Sequence, residues 1–245
     1  MILDTQFTPQ LVPLIQHFMA VLGPSWPVVF FTSPDTLEAH FSDPARLPPA
    51  WRDAVAARSL HVATIPATTR LSSRADVNAF LSRPWLWERL APATHVLVFQ
   101  ADSIMCARSP HSIDEFLHYD FIGAPWGPEL LFNGGLSLRN RTAMMRVLAE
   151  RDYAADMRAR ETGPGPDRSI GEDVWFATSM RAMEGARMPS REQARRFSVE
   201  WEAGWYPQPL GYHKVHKAMP ARLDEIRKWC PEIDLAMPRY LEGEG

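Results

Sequence analysis

The sequence predicts an α/β protein in which a mostly parallel central sheet is flanked by helices. Segments rich in β-branched and aromatic residues alternate along the chain with segments of helical spacing. The apolar run VLVF within residues 95–100 is typical of a strand that is buried on both faces. With 245 residues, 46% of them hydrophobic, a single domain over 1–245 is the natural expectation.

The first part of the chain shows this alternation most clearly. Residues 11–22 place apolar side chains at helical spacing, and Gly23 follows as a stop signal. The segment 26–34 predicts a buried strand, and Asp35 can cap the short helix behind it. The further elements expected here are a strand over 60–67, helices over 75–83 and 84–91, and the strand over 95–100.

The second part alternates less regularly. Ser109 or Ser112 can cap a helix. Residues 154–171 lose apolar periodicity and gather glycine, proline and charge, so we expect a mobile loop. Residues 238–245 are acidic and contain glycine, which predicts a frayed tail. The other elements expected here are a strand over 134–140 and helices over 141–152, 171–183 and 219–229.

Composition and charge narrow the function classes. A net charge of −3 and a pI near 6.2 give no basic field, which argues against a nucleic-acid partner and favours a small-molecule site. No apolar stretch has the roughly 20 residues of a membrane helix, and residues 1–10 lack the features of a signal peptide. Cys106 and Cys230 are too few for a disulfide framework, which suits a reducing cytosol. We therefore expect a cytoplasmic protein of undetermined oligomeric state.

A single carboxylate, Asp102, follows the strand at 95–100. If the end of that strand faces a ligand cleft, Asp102 can hold Mg²⁺ or Mn²⁺, which prefer oxygen ligands, and the ion would neutralise a diphosphate. The alternative is that Asp102 caps or turns the chain after the strand, which is a frequent role of aspartate.

Paired glycines, Gly134 and Gly135, lie in the segment FNGGLSLRN ahead of a predicted strand. The absence of both side chains lets a ligand approach the backbone closely. The segment matches neither a phosphate-binding loop nor a nucleophile elbow. The alternative is a plain turn or β-bulge.

Two adjacent acids, Glu172 and Asp173, fall at the predicted start of a helix. Either carboxylate can act as general base on an acceptor hydroxyl, and the loop expected upstream would suit a lid over substrate. The alternative is that the acids are there because the helix dipole favours negative charge at this end.

Basic and aromatic side chains complete the candidate set. His213 can complete a metal shell, and Lys214 can offset phosphate charge, although a solvated loop is the plain alternative for both. Trp126, Trp175 and Trp205 can stack on an acceptor, whereas tryptophan is more often part of the core.

Seven segments, taken in chain order, resemble a largely fungal family, domain of unknown function 5672, whose members are regarded as glycosyltransferases of the GT-A fold. They are HFMAVLGPSWPVVFFTS, VLVFQADS, DFIGAPW, NGGLSLRN, GEDVWF, FSVE and PLGYHK. The set spans about residues 11–217. The resemblance implies one Rossmann-like GT-A domain, with a nucleotide-sugar half over about 1–125 and an acceptor half over about 126–230.

The resemblance also assigns roles to residues. In GT-A enzymes a DxD-like motif at a strand end holds the metal and the nucleotide diphosphate, a glycine-rich strand lines the donor sugar, and a later acid faces the acceptor. It therefore implies Asp102 and His213 as ligands of Mn²⁺ or Mg²⁺, and Glu172 or Asp173 as the base. The donor-binding residues expected overall are Gln100, Ala101, Asp102, Ser103, Asn133, Gly134, Gly135 and Lys214. Because Gln100 replaces the first acid of DxD, we expect weaker metal affinity.

The expected function is transfer of a sugar from a nucleotide-sugar, with a UDP-sugar as the expected donor, to a small-molecule or glycan acceptor, with inversion. A sugar nucleotidyltransferase is one alternative, although residues 1–11 lack the glycine and basic residues of a triphosphate loop. A non-catalytic protein that binds nucleotide-sugar or carbohydrate on the same scaffold is the other. The missing DxD acid makes it conceivable, whereas the presence of Asp102, Glu172, Asp173 and His213 argues against it.

Overall fold

A computed structural model of the protein describes residues 1–162 and 170–237. Its strands are β1 (Ile2–Leu3), β2 (Val28–Thr32), β3 (Leu60–Thr64), β4 (His95–Phe99), β5 (Ser103–Met105), β6 (Phe121–Trp126), β7 (Leu131–Asn140), β8 (Ser198–Val199) and β9 (Gly211–His213). Its α-helices are α1 (Leu11–Leu22), α2 (Pro34–Phe41), α3 (Pro49–Ala56), α4 (Arg74–Leu81), α5 (Pro84–Arg89), α6 (Arg141–Glu150), α7 (Tyr153–Thr162), α8 (Glu172–Arg181), α9 (Arg191–Phe197), α10 (Val215–Ala218) and α11 (Leu223–Trp229).

The described strands form three small sheets. The order β1-β2-β3 is parallel throughout, the order β4-β7-β6 is antiparallel throughout, and the order β5-β9-β8 is mixed. The predicted α/β class is therefore confirmed in its coarse form. The expectation of one mostly parallel central sheet is not confirmed, because β7 runs antiparallel to both of its neighbours.

Hydrogen bonds at Met1 bring the first two sheets side by side. The Met1 nitrogen donates to the carbonyl of Leu97, and the N–H of Phe99 donates to the carbonyl of Met1 over 3.0 Å. This alternation is the pattern of a parallel pair, so β1 lies next to β4. Across the junction the strands lie in the order β3-β2-β1-β4. All four are parallel, but their order in the sequence decreases from β3 to β1 and then increases to β4, so the strand order reverses between β1 and β4. Crevices at such reversals, beyond the carboxyl ends of the strands, are the ligand sites of open α/β sheets.

Local sequence signals explain most helix boundaries. Helix α1 ends at Gly23, whose φ of +76° is easily reached because glycine has no Cβ. Ser33, and not the predicted Asp35, caps α2, since its side chain accepts a hydrogen bond from the N–H of Thr36. The buried face of α1 consists of Leu11, Leu14, Ile15 and Phe18.

Two expectations for the middle of the chain change. Ser112, and not Ser109, provides the cap, and it begins only the 3₁₀ turn Ile113–Phe116 in place of a full helix. The expected loop at 154–171 is helical as far as Thr162, at the end of α7. The rest of it over 163–169, and the expected frayed tail at 238–245, lie outside the described residues.

Apolar side chains from every part of the described chain join one core. The cluster extends from Met1 to Ala236, and three fully enclosed tryptophans, Trp51, Trp87 and Trp175, are among its largest members. The predicted division into donor and acceptor halves stays a prediction. Among the described residues, no helix combines the length and apolarity needed to cross a bilayer.

The two cysteines form a disulfide that we did not expect from their number and spacing. Cys106 follows β5 and Cys230 follows α11; their Cα atoms lie 5.3 Å apart and both side chains are buried. The bond ties α11 and the segment after it to the strand that begins next to Asp102. Because disulfides are rare in cytosolic proteins, this bond counts against the expected cytoplasmic location, which stays a prediction.

Loss of the disulfide should destabilise the protein substantially. The bond joins residues 124 positions apart, so it removes much of the freedom of the unfolded chain. We expect Cys106→Ser and Cys230→Ser each to lower the free energy of unfolding by about 2–5 kcal/mol in urea titrations. The double variant should lose no more than either single variant. Equal unfolding midpoints for the oxidised and reduced wild-type protein would contradict this expectation.

Candidate functional site

The end of β4 carries the first group of candidate residues. Gln100, Ala101 and Asp102 form the turn between β4 and β5, and the N–H of Ser103 closes it by donating to the carbonyl of Gln100 over 3.0 Å. The carbonyl of Gly135 accepts from the N–H of Gln100 at 2.9 Å and from the hydroxyl of Ser103 at 2.6 Å. Asp102 therefore lies in a tight turn, and hydrogen bonds of Gln100 and Ser103 fix this turn to the twin-glycine segment.

One nitrogen of His213 faces this turn. His213 is the last residue of β9 and pairs with Ser103 of β5, which brings its ring beside the turn. Its Nε2 lies 3.2 Å from Oδ1 of Asp102 and 3.1 Å from Oε1 of Gln100. The ring is 1% exposed, whereas Asp102 and Gln100 reach solvent. An imidazole nitrogen, a carboxylate oxygen and an amide oxygen thus point to one place.

The other nitrogen of His213 faces the carboxylate of Glu200, which was not among the site residues expected from the sequence. Nδ1 lies 3.2 Å from Oε2 of Glu200, a side chain only 3% exposed. Glu200 directly follows β8, and its only sequence signal was its place in the FSVE segment of the family resemblance. Asp102, His213 and Glu200 therefore form a chain of carboxylate, imidazole and carboxylate.

Charges along this chain stabilise one another. Burial favours the neutral ring, but the hydrogen bonds and charges of Asp102 and Glu200 outweigh it and raise the pKa of His213. Burial likewise opposes ionisation of Asp102, yet His213 and then the charge of Lys214 hold the pKa of that carboxyl below its ordinary value. Lys214 is half-buried, and its N–H donates to the carbonyl of Asp102 over 2.8 Å.

The twin glycines occupy a bulge of β7 and touch this cluster. The pairing of β7 with β6 shifts between Gly123 and Ala124, which leaves residues 134–136 unpaired on that side. A Cβ built on Gly135 would lie 2.6 Å from Cδ2 of the His213 ring and nearer still to Nε2. The glycine is therefore needed for the close approach of the imidazole to the backbone.

Asp173 lies on the other side of the same glycine pair. Its Oδ2 accepts a hydrogen bond of 2.7 Å from the N–H of Gly134, while its Oδ1 accepts from the N–H of Val174. The side chain of Asn133 closes the segment by accepting a 2.7 Å hydrogen bond from the N–H of Gly135. A Cβ on Gly134 would meet Asp173, whereas one on Gly135 would meet His213, so the two side chains approach adjacent residues of the bulge.

Glu172, expected as an alternative base, forms a buried ion pair with Arg139. It is buried, and both of its oxygens accept from the Arg139 guanidinium, at 2.9 and 3.0 Å. Burial raises the pKa of Glu172, whereas the always-charged guanidinium acts in the opposite direction. Arg139 is itself 0% exposed and also donates to the hydroxyl of Ser137. The ion pair packs against the bulge and occupies both oxygens of Glu172. Asp173 therefore remains the candidate base.

The three candidate tryptophans have different surroundings. Trp175 is 2% exposed, and its indole N–H donates to Asp156, so it belongs to the core and is not available to an acceptor. Trp126 is half-buried, with its ring centroid 6.1 Å from that of Trp201. Trp205 is half-buried but already lies beneath the Arg222 guanidinium.

A cavity of about 480 Å³ opens at the carboxyl ends of β1 and β4. Its lining includes Asp4, Thr5 and Thr8 from the segment after β1 and Gln100, Ala101 and Asp102 from the turn after β4. A larger cavity of about 700 Å³, lined mainly by apolar residues of β2, β3 and β4, contains none of the candidate residues. We assign the site to the smaller cavity, because it lies at the strand reversal and is lined by Gln100, Ala101 and Asp102, although the other candidate residues do not line it.

Among the described residues, no three histidine, cysteine, aspartate or glutamate side chains are grouped to hold a metal. The cluster at the turn supplies two such ligands, Asp102 and His213, and adds the amide oxygen of Gln100. Mg²⁺ commonly binds through one or two carboxylates and takes its remaining ligands from water and substrate phosphates. The donor set therefore fits an ion that is shared with a bound phosphate group.

The fold and the site define an α/β protein with a carboxylate and histidine cluster at the carboxyl ends of its strands. The sequence profile of a family described as "Protein of unknown function (DUF5672)" matches residues 59–213. The chain belongs to this family. The matched segment includes the candidate residues from Gln100 to His213, whereas no curated protein matches the chain significantly.

Substitution of Gly135 should displace the His213 ring. We expect Gly135→Ala to lower the free energy of unfolding by about 1–3 kcal/mol, since the new Cβ overlaps the imidazole. In a His213→Ala background the same substitution should cost much less, because the overlapping group is gone. A double-mutant cycle from urea titrations measures the difference. An identical cost in both backgrounds would contradict the close contact.

Removal of Arg139 should leave the buried carboxylate of Glu172 without its partner. We expect Arg139→Met to lower the free energy of unfolding by about 3–5 kcal/mol in urea titrations, and Arg139→Met/Glu172→Leu to recover part of this loss. A Glu172→Gln protein that kept its stability but lost turnover would instead make Glu172 the base.

Proposed function

We propose that the protein is a glycosyltransferase of GT-A type that moves a sugar from a nucleotide-sugar to an acceptor hydroxyl. The observation that carries the proposal is that Asp102 and His213 lie together next to Gly135, that Asp173 binds the neighbouring Gly134, and that Asp102 lines a cavity at the strand reversal. A cation-binding cluster and a second carboxylate on opposite sides of a side-chain-free backbone segment suit a diphosphate-linked sugar. The expected donor is a UDP-sugar.

The electrostatics of the cavity favour a donor that arrives with a cation. Asp4 and Asp102 both line it, and no lysine or arginine is among the described residues that do so. Two carboxylates would repel a bare diphosphate. Lys214, which acts on Asp102 from the adjoining turn, offsets one of these charges. Hydroxyls of Thr5 and Thr8 remain to hydrogen-bond a nucleoside.

Asp102, His213 and the amide oxygen of Gln100 are the residues that would hold Mn²⁺ or Mg²⁺. When bound, such an ion supplies positive charge that stabilises the departing diphosphate. Gln100 in place of a second acid leaves the cluster with one negative charge fewer, which favours an ion held jointly with the donor phosphates.

Asp173 is the proposed base. The acceptor oxygen forms a bond to the anomeric carbon, the bond from that carbon to the diphosphate oxygen breaks, and the nucleoside diphosphate leaves with the electron pair. The Asp173 carboxylate takes the proton of the acceptor hydroxyl. Two backbone N–H groups fix its orientation, and each oxygen keeps a further lone pair for that proton. Direct displacement of this kind inverts the anomeric carbon.

Trp126 is the proposed contact for a small-molecule or glycan acceptor. Ala124 pairs with Asn133, and Trp126 follows two positions later, so Trp126 and Asn133 project from the same face of the sheet. A half-buried indole offers a flat apolar surface on which a sugar ring can stack.

A ligand screen followed by turnover measurements tests the proposal. UDP-, GDP- and CMP-sugars are compared by their shifts of the melting temperature with and without Mn²⁺. We expect the largest shift for a UDP-sugar with Mn²⁺, and slow release of UDP. Asp173→Asn should lower that release by about 10²- to 10⁴-fold without changing the shift, whereas Asp102→Asn should abolish the Mn²⁺-dependent part of the shift.

Asp114→Asn is the matched control, because Asp114 is exposed on the surface turn after β5 and should change neither quantity. If no nucleotide-sugar shifts the melting temperature, the proposal is wrong. Binding without turnover would identify a nucleotide-sugar-binding protein. Pyrophosphate release from UTP and a sugar 1-phosphate would identify a nucleotidyltransferase.

A further inference from the structure

Glu200 lies beside the buried nitrogen of the histidine at the centre of the site. Strand β8 runs parallel to β9 with Val199 opposite Tyr212, so the next residues, Glu200 and His213, lie side by side. The Oε2 of Glu200 is 3.2 Å from Nδ1 of His213. The two side chains are 3% and 1% exposed, so water has almost no access to this contact.

The contact between Glu200 and His213 is a close ion-pair approach and not a well-formed hydrogen bond. Oε2 of Glu200 and Nδ1 of His213 are fully buried, and neither has hydrogen-bond geometry with any described group. Burying a carboxylate destabilises a protein unless the carboxylate is paired. An apolar residue would fill this position at lower cost, so the pairing with His213 is a reason for Glu200 to be there. Its neighbour Glu202, by contrast, is exposed and bonds to Arg222.

Burial decides which nitrogen of the neutral ring keeps the hydrogen. The oxygens of Glu200, Asp102 and Gln100 all accept hydrogen bonds, so both sides of the ring call for a hydrogen. Asp102 and Gln100 reach solvent and Glu200 does not, which favours the hydrogen on Nδ1. In the neutral ring the lone pair is then on Nε2, the nitrogen that faces Asp102 and Gln100. That tautomer can donate electrons to a cation between these oxygens, whereas the opposite tautomer places a hydrogen there.

We propose that Glu200 is a positioning residue that holds His213 in its Nδ1–H tautomer, with Nε2 directed as a ligand toward a divalent cation at Asp102 and Gln100. The inference rests on the proposed function, because it presumes a cation at that cluster. Glu200 touches neither the cation nor the substrate, and it acts through the ring. Carboxylates that orient metal-binding histidines in this way also make the ligand nitrogen more basic.

Manganese affinity of the metal-free protein, measured by electron paramagnetic resonance of unbound Mn²⁺, is the first test. Glu200→Gln keeps the size of the side chain but replaces one oxygen by an NH₂ group, which can donate to Nδ1 and favour the wrong tautomer. We expect this variant to bind Mn²⁺ about 10- to 100-fold more weakly than the wild type. Glu202→Gln, two residues away and exposed, should bind like the wild type.

Nitrogen NMR of the His213 ring is the second test, and it needs neither metal nor activity. At alkaline pH, where the ring is neutral, the wild-type and Glu202→Gln proteins should show the Nδ1–H tautomer. Glu200→Gln should shift the ring toward Nε2–H. A merely structural ion pair would change the melting temperature of the variant without this shift of tautomer.

The two tests separate the inference from the function on which it rests. Wild-type affinity and an unchanged tautomer in Glu200→Gln would overturn the inference. If the wild type binds no Mn²⁺, the proposed metal site is wrong. The tautomer found by NMR then shows whether Glu200 positions the His213 ring. If Glu200→Gln does not fold, the wild-type spectrum still decides, since an Nε2–H ring would contradict the proposal.

Discussion

The ring of His213 is the contact on which the arrangement of the site depends. One nitrogen meets Asp102 and Gln100, the other meets Glu200, and Gly135 leaves the space that the ring fills. A buried imidazole needs partners for both nitrogens, so its burial holds the ends of β4, β8 and β9 and the bulge of β7 together. A site built from such distant segments keeps its geometry because these contacts lie within the core.

The acids near the twin glycines differ in their burial and in their partners. Arg139 neutralises Glu172 inside the protein, so that residue supports the bulge. Asp173, one position along the same helix, is held by backbone N–H groups and keeps lone pairs for a proton. Asp102 faces the cavity beside His213 and suits a cation. Three acidic side chains therefore have three different surroundings, and these surroundings are the basis of the different roles proposed for them.

Local patterns in the sequence predict much of this molecule, whereas tertiary contacts decide the rest. The spacing in α1 and the apolar run of β4 are strong short-range signals, and they also placed Asp102 at a strand end. The two-residue strand before Glu200 and the three-residue strand that ends at His213 are too short to leave a periodic signal. The burial of Trp175, the pairing of Glu172 and the disulfide depend on segments far apart in the chain, so no local pattern reveals them.

In the proposed site, one cation at Asp102 and His213 is shared with a nucleoside diphosphate. The Mn²⁺ affinity of the wild-type protein, measured by electron paramagnetic resonance with and without UDP, tests this proposal. We expect each ligand to tighten binding of the other by the same factor, as linkage requires, and Asp102→Asn to remove this coupling. Equal Mn²⁺ affinity with and without UDP, or coupling that survives in Asp102→Asn, would contradict it.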